Sequence, residues 1–126
     1  MVDALRRATR WLAPGGCVVD IHPDATPPAI EIDGRPAGRV DTADGPARHA
    51  AADAAVRTAL ANGWVVAERS GEFDFYTYAD SVDELRDHIE ENWRDARIVL
   101  DTAAAGRPRA REHVRIAKLV VPTGRV

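Results

Sequence analysis

The sequence predicts an α/β domain, and three local patterns carry that prediction. Residues 3–12 place Leu5, Ala8 and Leu12 on one helical face, and Pro14-Gly15-Gly16 stops this helix ahead of the apolar run Cys17-Val18-Val19-Asp20-Ile21. An alanine-rich segment from Ala47 to Asn62 ends at Gly63 and precedes the β-rich stretch Trp64–Tyr78. A second capped helix, Ser81–Trp93, comes before a last apolar strand, Val114–Val121. Helices alternating with strands in this way indicate a sheet covered by helices.

Each element has a physical reason. Arg6, Arg7 and Arg10 lie away from the apolar face of the first helix, which makes that helix amphipathic. The Cys17–Ile21 run is nearly continuous in apolar residues, so it reads as a buried strand. Ala29-Ile30-Glu31-Ile32 followed by Asp33-Gly34 is a hairpin signal, because Asp-Gly tolerates the positive φ of a type I′ turn. Pro36 and Gly38 interrupt the return strand before Arg39-Val40, which predicts a small, partly exposed flap. In Trp64–Tyr78 the pair Ser70-Gly71 predicts a bend or bulge, while Phe73, Phe75 and Thr77 alternate with Asp74, Tyr76 and Tyr78. Ser81-Val82-Asp83-Glu84 fits a capping box, and Val82, Leu85, Ile89 and Trp93 recur at helical spacing. Residues 101–110 are small and polar, compatible with loop or short helix. Pro122 and Gly124 end the last strand. With no repeat and no dividing linker, residues 1–126 read as a single domain.

Composition narrows the function classes. The chain of 126 residues is 45% hydrophobic and 29% charged, ordinary for a globular protein. A net charge of −3 argues against a nucleic-acid partner held by a basic surface. The bias toward arginine over Lys118, the one lysine, reads as codon usage. Cys17 is the only cysteine, which excludes an intrachain disulfide and a cysteine-cluster metal site; a small buried thiol is its expected role. No run approaches the ~20 apolar residues of a membrane span, and the N-terminal segment lacks a signal peptide's apolar region. The expected location is cytoplasmic, with no membrane partner.

The segment Ala4-Leu5-Arg6-Arg7-Ala8-Thr9-Arg10-Trp11-Leu12-Ala13-Pro14-Gly15-Gly16-Cys17-Val18-Val19-Asp20-Ile21 resembles the R-x-L-x-P-G-G-x-hydrophobic element of class I, S-adenosylmethionine-dependent methyltransferases. In that family it is the helix entering the fifth strand of a seven-stranded Rossmann-like sheet. The resemblance implies a partial sheet holding equivalents of strands 5, 6 and 7, with strand 7 antiparallel. Ala47–Asn62, Trp64–Tyr78 and Val114–Val121 match the family's next helix and last two strands in order. The Ser81–Trp93 helix resembles the insertion that often covers the acceptor pocket. The family's first strand leads into a glycine-rich loop against the cofactor, and an acid ends its second strand on the ribose. Pro14-Gly15-Gly16 and Gly34-Arg35-Pro36-Ala37-Gly38 do not follow a strand and open a helix. No cofactor-binding residue is therefore assigned, and S-adenosylmethionine is expected only if an N-terminal half complements this chain.

The same resemblance places Asp20, His22 and Asp24 on the acceptor side of a methyl-transfer pocket, at the C-terminal end of a strand where ligands of open α/β sheets gather. His22 is the candidate catalytic base or orienting group, and Asp20 and Asp24 are candidate substrate contacts. The alternative is that both aspartates cap a loop and His22 is a solvated turn residue. Tyr76 and Tyr78 are further candidate substrate contacts, or else aromatic packing under a helix. Trp11, Trp64 and Trp93 read as core or interface anchors. His49, His88 and His113 are scattered with no i, i+4 histidine pair, so no metal site is expected.

In the family the fifth strand also pairs with the fourth, which has no counterpart here. The Cys17–Ile21 strand would then present an unpaired apolar edge. Together with the N-terminal helix, that edge implies either a homodimer or a separate N-terminal methyltransferase half as partner. Three functions follow: a noncatalytic homodimeric binding or structural module; a true acceptor-side half, or truncated reading frame, that needs a cofactor-binding partner; or an independent small enzyme built around Asp20 and His22.

Overall fold

Three helices and six strands follow one another in a computed structural model that describes residues 2–103 and 105–122. They are α1 (Val2–Trp11), β1 (Cys17–Pro23), β2 (Ala29–Ile32), β3 (Arg35–Thr42), α2 (Gly45–Ala61), β4 (Val66–Tyr78), α3 (Val82–Asn92), β5 (Ala96–Leu100) and β6 (Pro108–Val120). The strands hydrogen-bond in the order β1-β6-β2-β3-β5, and β4 pairs with β6. The chain is thus mixed α/β, as the helix–strand alternation predicts. The pairings β1–β6, β2–β3, β2–β6 and β3–β5 are all antiparallel, so the sheet as a whole is not the parallel sheet of a Rossmann fold. Gly124, expected to help end the last strand, lies outside the described residues.

The chain divides into two compact units. The first comprises residues 1–24, 47–73 and 114–126, and the second residues 25–46 and 74–113. In the first unit β1 lies against β6 in unbroken register from Cys17↔Val120 to Pro23↔Val114. The Pro14-Gly15-Gly16 turn is tied to the end of this ladder, with Gly15 N–H donating to the Val121 carbonyl and Val121 N–H to that of Gly16. Gly15 has φ +84°, a conformation an L side chain resists. Ion pairs Glu68–Lys118 and Glu72–Arg115 link β4 to β6 with positions rising on one strand and falling on the other, so these two strands also run antiparallel. Ala59, Val65 and Leu119 form the buried centre, against which Leu5 of α1 and Val18, Val56 and Trp64 pack. Gly63, at φ +69°, ends α2, and Trp64 N–H donates back to the Ala59 carbonyl.

In the second unit the Asp33-Gly34 turn has both residues at positive φ (51° and 78°), as a type I′ hairpin requires. The expected exposed flap is corrected here. β2 is flanked by β3 and β6, and Ile30, Ile32, Ala37 and Val40 are core residues. Pro36 and Gly38 are accommodated by an irregularity in the β2–β3 register near Ile30/Glu31. Gly38 fits because a side chain there would strike the β5 backbone at Val99. Ser81 caps α3 by accepting from Glu84 N–H at 3.1 Å, and Leu85 and Ile89 enter the core beside Ala96, Ile98 and Ala110.

Three further expectations change. β1 is not buried on both faces: Cys17, Val19 and Ile21 are exposed while Asp20 and Val18 are partly covered and His22 is buried. Cys17 is accordingly an exposed thiol. β5 forms where no element was assigned, and β6 begins at Pro108, inside the stretch read as loop or short helix.

Candidate functional site

The first unit gathers polar groups over one face of its sheet. Strand alternation puts Asp20 and His22 of β1 on the face that carries their cross-strand partners Ala117 and Arg115 of β6. On α2, Asp53, Val56, Arg57 and Leu60 recur at i, i+3, i+4 and i+7 and so share one side of the helix. All of these residues line one cavity of about 510 Å³.

At its polar end the imidazole of His22 is held from both sides. Nδ1 lies 2.6 Å from Asp20 Oδ2 and Nε2 lies 2.6 Å from Asp53 Oδ1. Both aspartate oxygens are acceptors, so the pairing calls for an imidazolium that donates from each nitrogen. Burial works against that charge, but hydrogen bonds and charge from Asp53 and Asp20 outweigh it, and the pKa of His22 is raised. The hydrogen bond from His22 lowers the pKa of Asp53 against its own desolvation, helped by Arg115 and Arg57. Burial lowers the pKa of nearby His49, with Arg48 and His22 adding repulsion. In this state the ring has no free lone pair with which to take a proton; only loss of one of its two N–H protons exposes one. The ring therefore holds two carboxylates in place, each through one oxygen.

Asp20 and His22, both singled out from sequence, are thus brought together. Asp24 follows β1 and acts on His49 through its charge. Tyr76 and Tyr78 belong to the second unit, where their rings lie 5.9 Å apart and Arg109 stacks 4.6 Å over Tyr76. There Arg109 Nε also donates to the buried Glu31 at 2.7 Å, and Asp74 meets His113 at 3.0 Å. Sequence reasoning missed Asp53, Arg57 and Arg115. Asp53 carried one usable signal, as the only acid in an otherwise alanine-rich helix.

A metal centre does not form from these groups. The carboxylates sit on opposite nitrogens of one ring rather than around a common point, and no group of three ligating residues among the described residues is arranged for an ion. The S-adenosylmethionine implied by the resemblance does not fit the residues present either. Of the described strand-to-helix turns, β4–α3 holds no glycine, and β3–α2 holds Gly45 alone, packed against the Thr42 side chain rather than forming a cradle. No helix among the described residues is long and apolar enough to cross a membrane. No family model, curated protein or solved structure matches the chain.

Proposed function

We propose that this chain is the acceptor-side half of a class I, S-adenosylmethionine-dependent methyltransferase-type sheet, working with a cofactor-binding half supplied from outside these 126 residues. One observation carries the reading: in the first unit β6 lies between β1 and β4 and runs antiparallel to both, with α2 linking the β1 and β4 segments of the chain. The family sets its antiparallel seventh strand between the fifth and sixth in this way. The Arg-rich helix and Pro14-Gly15-Gly16 turn then enter the fifth-strand position, and Asp20 and His22 stand at that strand's C-terminal end.

The other edge of β1 supports the same reading. Among the described residues β1 pairs with β6 alone, and on the face away from α2 Val19 and Ile21 remain 55% and 58% exposed. An apolar, unpaired edge is a template for a further strand and its covering helix. The test is to mix the chain with the cofactor-binding half of a class I methyltransferase. Cofactor binding and methyl transfer are expected from the mixture and not from this chain alone. One-to-one S-adenosylmethionine binding by the isolated chain, or no association that Val19→Lys abolishes, would reject the reading.

A noncatalytic homodimer is the second reading, favoured by the exposure of large apolar side chains in the first unit, Trp11 at 85% as well as Val19 and Ile21. A dimeric mass in solution that persists when the cofactor-binding half is added would favour it.

A further inference from the structure

The cavity of the first unit has an unequal distribution of committed charge, and that inequality selects a ligand. Of its three acids, Asp20 and Asp53 are each engaged at 2.6 Å by His22, and Glu72 stands toward Arg115. Its guanidiniums are held more loosely. Arg115 Nε is 3.7 Å from Glu72 Oε1, with both side chains about half exposed, and Arg57 acts on Asp53 only at longer range. The bases are therefore the groups with capacity left for an incoming partner. Behind them the wall turns apolar, through Val56 and Leu60 of α2 and the fully buried Leu119 of β6. From Asp53 to Leu60 the helix advances by about 10 Å at ~1.5 Å per residue, the length of one ring with a short alkyl arm. A cavity of about 510 Å³ is within the range used for small molecules.

We propose that this cavity binds an amphipathic monocarboxylate, its carboxylate between Arg57 and Arg115 and its apolar body along Val56, Leu60 and Leu119. The assignment of that carboxylate as the methyl acceptor rests on the methyltransferase reading; the binding itself does not. The protonated His22 is part of the design. Around it stand Asp20 on β1, Asp53, His49 and Arg57 on α2, Glu72 on β4, and Arg115 on β6. Loss of its proton frees two carboxylates to compete for the same arginines, so carboxylate affinity falls as pH rises.

The test is titration of the full chain with 4-phenylbutyrate, 4-phenylbutanol and 4-phenylbutylamine, followed by calorimetry and by amide chemical shifts. The carboxylate is expected to saturate one site at least tenfold more tightly than the alcohol, and the amine not to bind. Arg57→Gln lies on an exposed helix position and is expected to weaken the carboxylate tenfold or more without changing the melting temperature. Arg115→Gln is expected to do the same, and wild-type affinity is expected to drop between pH 6 and pH 8.5. Absence of saturable binding, binding of the amine as well as the carboxylate, or indifference to Arg57→Gln would each overturn the proposal. Complementation at the β1 edge is read without any carboxylate, so either idea can fail while the other stands.

Discussion

The two units solve the burial problem differently. The second gathers nine buried residues into one cluster, with Leu85 and Ile89 of α3 set against strand residues such as Ile30 and Ile32. In the first, among the described residues, Ala59, Val65 and Leu119 form a small cluster, the small Ala52 and Ala55 and Val114 are also buried, Val19 and Ile21 stay exposed, and the covered face holds a histidine clamped by two acids. A closed apolar core confers stability and little else, whereas a half-covered sheet with an internal charge cluster has surface and polar groups left for partners. The contrast predicts that the second unit carries the larger share of the stability.

The sharpest way to break this contrast is to hollow out each core. Ile89→Ala is expected to cost about 3–5 kcal/mol in urea unfolding, because its side chain is fully buried in a well-packed cluster. Leu119→Ala is expected to cost about 2–3 kcal/mol, since the thinner surroundings of the first unit relax more easily. A larger loss at Leu119 than at Ile89 would reverse the assignment. His22→Ala comes next. It leaves Asp20 and Asp53 without their shared donor, and about 1.5–3 kcal/mol is expected to be lost.

Smaller effects sharpen the same comparison. Ser81→Ala removes the α3 cap and is expected to cost about 1 kcal/mol. The clamp also predicts a pH dependence confined to the first unit. His22 has a raised folded pKa, so its contribution is complete below about pH 6.5 and is lost as pH rises through the folded value. Asp53 has a lowered folded pKa, so its contribution is present above about pH 3.9 and is lost as pH falls through the folded value. Hydrogen exchange is expected to show amides of β1 and α2 opening faster at pH 8.5 than at pH 6 after correction for intrinsic rates, and His22→Asn is expected to erase that difference. Equal change in β2 and β5 would show that the clamp is not local. Val19→Lys has the smallest expected effect on stability, within about 0.5 kcal/mol, because the side chain is already solvated.

Much of the architecture was legible because local rules and tertiary contacts agreed. Gly63, Asp33-Gly34 and Ser81 each meet a backbone requirement that neighbouring residues alone impose, and each bounds an element where expected. The hairpin's rank in the sheet was not legible, because Pro36 and Gly38 suggest exposure while the pairing of β2 with both β3 and β6 is a long-range fact. β5 was missed since Ala96–Leu100 offers five residues and no turn signal at its start; Asp95 supplies the turn in a left-handed conformation at φ 51°. At the site, Asp20 and His22 were found because two residues along a strand share a face. Asp53 completes the cluster from 31 positions away, a distance that no spacing rule spans.

The β1–β6 ladder sets the order in which this protein can be made. Cys17 faces Val120 and His22 faces Arg115, so β1 emerges from the ribosome long before the strand that will hold it exists. The second unit draws both its segments from between those partners, and its core too is completed by Ala110 at the start of β6. Until β6 arrives, Cys-Val-Val-Asp-Ile is an unpaired apolar ribbon of the kind that recruits chaperones or joins another chain. Slowed elongation through residues 108–120 should therefore lower soluble yield more than the same pause placed in α3.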